Sequence, residues 1–147
     1  MNEKVKNNGK QLIVTGYAAK YKTPTNLGAF NEQIAPGAFD NVLDNDVRFL
    51  VNHEGLTLAR TSNGTLKLKT DQIGLKYEAK LNDTTASRDV YEALKRGDVS
   101  QSSFAFTIEQ QSWNADNTMR TVEKVGRLLD VSAVVFPAYE DASAEAT

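Results

Sequence analysis

Residues 83–106, DTTASRDVYEALKRGDVSQSSFAF, contain both of the secondary-structure patterns that decide the fold class. Over 83–97 the apolar side chains recur with a period of about 3.6 residues, which is typical of an amphipathic helix. A polar residue among 83–85 would cap its start, and Gly97 would end it. The segment that follows, 99–108, is rich in aromatic and β-branched residues, which predicts a strand. The buried stripe of the predicted helix consists of Ala86, Val90, Ala93 and Leu94.

The rest of the chain is rich in short strands joined by turn residues. Pro36 predicts the start of a short helix over 35–45, and Asn63-Gly64 predicts a type I′ hairpin turn within 56–70. About seven strands and two helices with hairpin-type links predict an α+β fold, a mostly antiparallel β-barrel with flanking helices. The predicted strands are 12–21 with a bulge at Gly16, 47–54, the two arms of 56–70, 73–81, 99–112, 119–126 and 127–136. The predicted domain limits are a disordered tail 1–10, a single domain 11–143 and a C-terminal tail 144–147.

The composition excludes several classes of function. The chain has 147 residues, no cysteine and a single histidine, His53. These counts exclude disulfides, thiol catalysis and thiolate metal sites, and they remove most transition-metal sites. There is no Gly-rich phosphate loop, so neither a cofactor nor a metal is predicted. A formal net charge of −2 and the lack of a long apolar run argue against nucleic-acid and membrane binding, and predict a soluble intracellular protein.

Three serines within the predicted strand 99–108 raise the question of a chemical role. Side chains of a strand alternate between its two faces. Ser103 falls on the face opposite the aromatic residues, beside the small Ala105, which leaves room for a reacting group. The alternative is a serine that merely faces solvent. The core face carries Ser100, Ser102, Phe104, Phe106 and Ile108, and the two serines on it are expected to bond to the backbone.

His53 and Asp130 are the candidates for a base and an acid. Imidazole can accept a hydroxyl proton near neutral pH, although a lone histidine at a strand end is more often structural. Asp130 interrupts the apolar run 128–136, where a buried carboxylate is costly unless it is paired. An imidazolium partner would remove that cost, whereas a strand-edge carboxylate that reaches water is the alternative. Glu54 and Glu140 are rival acids, and Glu54 is the weaker because strand neighbours point to opposite faces.

Five segments in a fixed order carry a similarity to a known family. They are GYAAKY with GAFNEQIAPGAFD, then VNHE, GTLKLKTDQIGLKYEAKL, RGDVSQSSFAF and LLDVSAVVFPAYEDAS. The ordered set resembles the prohead (capsid maturation) proteases of tailed bacteriophages, which are related in fold to the herpesvirus assembly proteases. The resemblance covers roughly residues 12–143. Its most specific parts are IAPGAFD, the Asn52-His53 pair, the Ser-Phe-x-Phe motif at 103–106 and FPAY at 136–139.

The resemblance implies a serine peptidase with a herpesvirus protease-like fold. By motif position, His53 matches the general base and Ser103 the nucleophile, while Asp130 best matches the third member, where relatives often carry Glu. Ala105 stands where many relatives have glycine, a small change that should still leave space. Triads are defined by geometry and role, so the order His, Ser, acid is no objection. Backbone N–H groups would stabilise the oxyanion, with an arginine such as Arg127 as a further candidate.

The resemblance also implies partners and a location. Its substrates would be scaffolding protein, the N-terminal segment of the major capsid protein and the protease itself, inside the assembling prohead in the host cytoplasm. Herpesvirus relatives dimerise, so a homo-oligomer is a further expectation, which no sequence feature marks. Relatives usually continue beyond the tail ASAEAT (142–147), which predicts a self-trimmed or truncated form. Two alternatives stay open: a catalytically silent capsid-assembly or scaffolding protein of the same fold, and an unrelated β-barrel binding module.

Overall fold

The computed structural model describes residues 5–6, 9–135 and 143–146 of the chain. These residues form one helix, α1 (Thr85–Arg96), and twelve strands. The strands are β1 (Val5–Lys6), β2 (Gly9–Lys10), β3 (Ile13–Lys20), β4 (Thr25–Asn26), β5 (Asn31–Ile34), β6 (Arg48–Val51), β7 (Glu54–Arg60), β8 (Leu66–Thr70), β9 (Gly74–Lys80), β10 (Gln101–Trp113), β11 (Met119–Val134) and β12 (Ser143–Ala146). The fold is therefore α+β with a majority of strands, as the sequence predicts.

Strand β11 organises the first sheet. β10 pairs with it in an antiparallel manner along nearly its whole length. Along the other edge of β11, β5 pairs in parallel with 119–122 and β6 pairs in parallel with 130–133, so β5 and β6 lie end to end. β4 adds to β5 and β7 adds to β6, both antiparallel. The strands predicted separately at 119–126 and 127–136 are thus one continuous strand.

The second sheet is antiparallel throughout, in the order β12-β3-β9-β8. The register between β3 and β9 shifts between Tyr17 and Ala19, whereas Gly16 pairs regularly with Tyr77, so the irregularity lies two residues after the predicted position. At Gly74 the neighbouring strand comes so close that an added Cβ would lie 2.0 Å from the Ala19 carbonyl oxygen. The position therefore requires glycine.

One hydrophobic core is shared by the two larger sheets. Phe49 of β6 lies 5.5 Å from Tyr77 of β9 between ring centroids, and both rings are almost completely buried. Phe104 of β10 contacts Phe39 edge-to-face at 5.6 Å. Burial of each such ring stabilises the fold by about 1.5–3 kcal/mol. Because β6 and β10 supply two of these rings, the core fixes both strands relative to the rest of the molecule.

Helix α1 begins and ends close to the predicted residues. Thr84 caps its start, since the Ser87 backbone N–H donates to the Thr84 hydroxyl oxygen at 3.2 Å. Gly97 ends it in the left-handed region with φ of 88°, and its N–H donates to two carbonyls of the last turn. The residues of α1 that are buried are Ser87, Tyr91 and Leu94, and the other members of the predicted stripe, Ala86, Val90 and Ala93, are half-buried.

The helix predicted at 35–45 is wrong. This segment folds as consecutive turns with hydrogen bonds between residues three apart, such as Val42 N–H to the Phe39 carbonyl at 3.1 Å. Gly37 has φ of 88°, and a residue in the left-handed region interrupts a right-handed helix. Phe39 and Val42 are nevertheless fully buried, so their spacing reflects contacts with the core and not a helical face.

The hairpin predicted at Asn63-Gly64 is also wrong. β7 pairs with β6 in the first sheet, whereas β8 pairs with β9 in the second. Between them, Thr61–Asn63 form a 3₁₀ turn that Gly64 ends with φ of 79°. The glycine supplies the positive φ that the turn requires, but the connection passes from one sheet to the other.

The strand pairings of the described residues do not close into a barrel, so the predicted barrel is not confirmed. The segments predicted as tails, 1–10 and 144–147, contain paired residues: β1 pairs with β2, and β12 extends the second sheet beside β3. Strands of two to four residues carry little sequence signal, so periodicity does not reveal them.

Candidate functional site

His53 is carried by a two-residue turn between β6 and β7. Val51 pairs with Glu54 across the turn, and the two residues between them, Asn52 and His53, have φ of 53° and 62°. Positive φ at both central residues is the requirement of a type I′ hairpin turn. Positive φ is uncommon for residues other than glycine, but asparagine and histidine adopt it more often than most others. Of the strand predicted over 47–54, Arg48–Val51 form β6, and the chain then turns at Asn52-His53.

Three hydrogen bonds attach this turn to the end of β11. The Asn52 N–H donates to the Ala133 carbonyl at 3.0 Å, and the Val135 N–H donates to Asn52 Oδ1 at 3.1 Å. The His53 N–H donates to the hydroxyl oxygen of Ser132 at 3.2 Å. The backbone of β6 turns away from β11 at this point, and the Asn52 side chain supplies the acceptor for the next N–H group along, that of Val135.

Asp130 is the carboxylate that contacts the histidine ring. His53 Nδ1 lies 2.7 Å from Asp130 Oδ1, and the Asp130 side chain is only 11% exposed while that of His53 is 37% exposed. Ser132 donates a second hydrogen bond to the same oxygen at 2.8 Å. Two donors offset the cost of taking the carboxylate out of water. The predicted partnership of His53 and Asp130 is present in the structure.

An ionised carboxylate accepts hydrogen bonds and donates none, which defines the protonation of the ring. Nδ1 must carry a hydrogen to bond with Asp130, so in the neutral ring the lone pair is on Nε2. This is the tautomer in which a histidine can accept a proton from a hydroxyl group. The contact therefore orients the ring and prepares its other nitrogen as a base.

Ser103 lies on the same face of the sheet as the His53–Asp130 pair. In the ladder between β10 and β11, Ser103 is opposite Ser132 and Ala105 is opposite Asp130, and residues directly opposite share a face. Phe104 points to the other face and into the core, as the alternation predicts. Ser103 is 6% exposed, so it is not a solvent-facing serine.

The structure does not join all three candidates. Within the described residues, no hydrogen bond connects the Ser103 hydroxyl to the His53 ring, whose Nδ1 contacts are Asp130 and Ser132. His53 and Asp130 are in contact, and Ser103 lies on their face of the sheet. Catalytic hydrogen bonds are often long in the absence of substrate and shorten in the complex.

Of the two neighbouring serines predicted on the core face, Ser102 lies there and Ser100 does not. Ser102 is completely buried on the core face, where its hydroxyl shares a 2.7 Å hydrogen bond with the Tyr77 hydroxyl. Ser100 precedes β10 and is exposed, so it is not a core residue.

Arg127 is not brought to the serine. It is exposed and lies opposite Thr107, four positions along β10 from Ser103, which corresponds to about 13 Å at about 3.3 Å per residue. Glu54, one of the rival acids, is exposed at the start of β7. Glu140 and the FPAY motif lie outside the described residues.

Two structural roles were not predicted from the sequence: Ser132 contacts His53 and Asp130, and Asn52 attaches the turn to the end of β11. Ser132 stands two positions after Asp130 in an apolar run, so strand alternation alone places both on one face. Asn52 adjoins His53, and its preference for positive φ was the available signal for a turn. Within residues 11–135, no group of three or more metal-ligating side chains is present, and no described helix is long and apolar enough to cross a membrane.

The chain is similar in sequence to known proteins. The family model described as "Caudovirus prohead serine protease" (Peptidase_S78) matches residues 1–147. The chain is also similar to the prohead protease of Enterobacteria phage HK97, with 29% identity over 138 residues. The aligned region covers 91% of this chain and 59% of that protein. The chain thus spans somewhat more than half the length of this relative.

Proposed function

Because the chain belongs to the Caudovirus prohead serine protease family, we propose that it is an endopeptidase with Ser103 as nucleophile, His53 as general base and Asp130 as the acid. One observation carries the proposal: the 2.7 Å contact of His53 Nδ1 with a buried carboxylate, on the face of the sheet that also bears Ser103. The peptidase domain comprises at least residues 11–143.

The proposed reaction is acyl transfer. His53 Nε2 takes the Ser103 hydroxyl proton while the serine oxygen bonds to the carbonyl carbon of the substrate, whose π electrons move to the carbonyl oxygen. The tetrahedral intermediate collapses as the C–N bond breaks, and the imidazolium gives its proton to the leaving amine. Water then attacks the ester in the same way and restores Ser103. Asp130 keeps the ring in position and stabilises its positive charge.

The substrates that fit this proposal are proteins of the immature capsid. Family membership supports the scaffolding protein and the N-terminal segment of the major capsid protein as substrates, together with the protease itself, inside the prohead in the host cytoplasm. The role of the acid belongs to Asp130 in place of the glutamate that many relatives carry. Association of several copies stays an expectation without a marked surface.

A catalytically silent assembly protein of the same fold is the second candidate. The observation that favours it is the missing hydrogen bond between Ser103 and His53 within the described residues. A fluorophosphonate probe distinguishes the two candidates, because it reacts with a serine that has an active base and not with an ordinary hydroxyl.

The first test is covalent labelling of the whole chain by such a probe, read by intact and peptide mass. We expect one adduct, on the peptide that contains Ser103, and no adduct in Ser103→Ala. Ser100→Ala is the matched control, since Ser100 is a nearby exposed serine of the same segment and its variant should label normally. Co-expression with the capsid or scaffolding protein should give cleavage in the wild type and in Ser100→Ala only. Cleavage by Ser103→Ala would exclude Ser103 as nucleophile.

A further inference from the structure

Ser132 contacts two residues of the candidate triad, although it stands in an apolar run. It is completely buried on β11, two residues after Asp130. Its hydroxyl donates to Asp130 Oδ1 at 2.8 Å and accepts from the His53 backbone N–H at 3.2 Å. A hydroxyl has one proton and two lone pairs, so it can make both contacts at once. The same oxygen lies 3.5 Å from His53 Nδ1.

The position of Ser132 in the sheet adds a third connection. It lies directly opposite Ser103 on β10 and directly opposite Leu50 on β6. Opposite residues of antiparallel strands have Cα atoms about 4.5–5.5 Å apart and share a face. Ser132 therefore lies between the strand that bears the candidate nucleophile and the hairpin that bears the candidate base.

We propose that Ser132 is a positioning residue of this peptidase, which holds the Asp130 carboxylate and the His53 backbone in the orientation that proton transfer from Ser103 requires. The inference rests on the proposed function. Ser132 acts through Asp130 and His53 and does not itself touch the substrate, because its oxygen faces the Nδ1 side of the ring and not the reacting Nε2 side.

The hairpin tip needs such a restraint. His53 has φ of 62°, which is unfavourable for a residue with a side chain, and more than a third of its side chain is exposed. Packing alone therefore does not fix the ring. Loss of the Ser132 hydroxyl would leave the partly buried His53 N–H without its acceptor and the Asp130 carboxylate with one donor fewer.

The test compares three variants of the whole chain. Ser132→Ala removes the hydroxyl, and Ser132→Thr keeps it. Ser87→Ala is the matched control, because Ser87 is also completely buried and also donates its hydroxyl hydrogen bond, but to Asn82 beside helix α1. For each variant, kcat, KM and the rate of fluorophosphonate labelling are measured together with the melting temperature.

We expect Ser132→Ala to lower kcat and the labelling rate by about tenfold or more, with KM little changed, since a hydrogen bond to a charged group is lost. Ser132→Thr should recover most of the activity, and Ser87→Ala should retain the wild-type rate even if its melting temperature falls. A Ser132→Ala enzyme with wild-type kcat, in a preparation where Ser103→Ala is inactive, overturns the inference. If Ser132→Ala does not fold, Ser132→Cys gives the same comparison with a weak donor of similar size.

A second measurement separates positioning from a general loss of structure. The chain has one histidine, so the imidazole N–H signals in an NMR spectrum belong to His53 without ambiguity. We expect a downfield Nδ1–H proton in the wild type, in Ser87→Ala and in Ser132→Thr, and its loss in Ser132→Ala. An unchanged signal in Ser132→Ala contradicts the inference. If the wild type neither labels nor cleaves, the proposed function fails, and this signal still decides whether Ser132 positions the ring.

Discussion

Among single residues, Asp130 is a buried carboxylate whose burial and hydrogen bonds bear directly on the proposed mechanism. Its Oδ1 accepts from both the His53 ring and the Ser132 hydroxyl, and almost none of the side chain reaches water. A carboxylate in this position keeps a hydrogen on Nδ1 and stabilises the positive ring that forms when Nε2 takes a proton. An amide of the same shape would not supply the negative charge.

Replacement of Asp130 by asparagine should therefore affect turnover far more than substrate binding. We expect Asp130→Asn to lower kcat by about 10³–10⁴-fold with little change in KM, because the ring loses its preferred tautomer and the charge that stabilises imidazolium. Steady-state kinetics on a peptide substrate measure both constants.

The control for this change is Asp46→Asn. Asp46 is an exposed carboxylate beside Arg60, whose hydrogen bond lowers the pKa of Asp46 to about 2. The chemical change is the same, but it lies outside the site, so kcat should stay at the wild-type value. An Asp130→Asn variant with near-normal turnover would remove Asp130 from the mechanism.

At the residue scale, local pattern and motif indicated Ser103, His53 and Asp130 as candidates, and the structure brings His53 and Asp130 into contact. Alternation placed Ser103 on the face away from the aromatic core, and the register between β10 and β11 agrees. Ser132 and Asn52 were missed because their roles depend on hydrogen bonds with the backbone of a distant segment. Which backbone groups meet a side chain follows from strand pairing, and no local pattern encodes that pairing.

Among the elements, the hairpin between β6 and β7 has the least usual conformation. Both of its central residues have positive φ, and Asn52 closes the gap to β11 through its own side chain. Asparagine here combines tolerance of the left-handed region with an acceptor for the Val135 N–H. These two contributions can be separated by substitution.

Two variants of Asn52 distinguish backbone strain from the lost hydrogen bond. Asn52→Gly removes only the acceptor, whereas Asn52→Ala also places a Cβ on a residue with φ of 53°. We expect both to be less stable than the wild type, and the alanine variant to be about 1 kcal/mol less stable than the glycine variant. Urea unfolding followed by the fluorescence of Trp113, the single tryptophan, gives the two free energies. Equal stabilities of the two variants would mean that the turn carries no strain.

The success of prediction at the element scale depended on how local the signals are. Helix α1 was predicted well because its cap, its apolar stripe and its terminal glycine all lie within one short segment. The hairpin prediction at Asn63-Gly64 was wrong because a glycine with positive φ occurs in connections between two sheets as well as in hairpins. The two-residue hairpin between β6 and β7 has histidine in place of the usual glycine, so Asn52 was its one compositional signal.

At the scale of the whole molecule, Tyr77 links the two sheets, and its ionisation makes the stability of the fold depend on pH in the alkaline range. Its hydroxyl shares a hydrogen bond with Ser102 on β10, and its ring contacts Phe49 on β6. Burial raises the pKa of Tyr77 above its usual value near 10, because the buried phenolate would lose its hydration. The unfolded chain can lose this proton at lower pH than the folded protein.

The sign of the effect follows from proton binding. Above pH 10 the unfolded tyrosine releases its proton while the folded one keeps it, so stability falls as pH rises from about 10 towards the raised pKa. We expect Tyr77 alone to contribute a loss of about 1.4 kcal/mol between pH 9 and pH 11. Urea unfolding of the wild type and Tyr77→Phe at several pH values measures the two slopes.

The comparison rests on the slopes, because Tyr77→Phe also removes a hydrogen bond and lowers stability at every pH. Its slope should be shallower but not zero, since the pKa of Tyr91 and of Tyr21 is also raised, mainly by burial. Parallel curves for the two proteins would show that Tyr77 ionises as easily in the folded state as in the unfolded state.

At the scale of the whole chain, the partners of the strands were the least predictable feature. β5 and β6 occupy the same edge of β11, and β7 and β8 separate into different sheets although they are adjacent in sequence. Alternation of apolar and polar residues indicates that a strand has one face in the core, but it does not indicate which strand lies beside it. The hairpin prediction was wrong for this reason, and the predicted barrel is not confirmed.

The large sequence separation between β6 and its partner β11 has a consequence during synthesis of the protein. His53 leaves the ribosome 77 positions ahead of Asp130 and 79 ahead of Ser132, and the parallel pairing of β6 cannot begin before 130–133 has emerged. In a nascent chain that ends before that strand, the His53 imidazole has neither the Asp130 carboxylate nor the Ser132 hydroxyl to position it. Under the proposed mechanism such a fragment cannot cut its neighbours on the polysome, so the order of translation itself delays the onset of proteolysis.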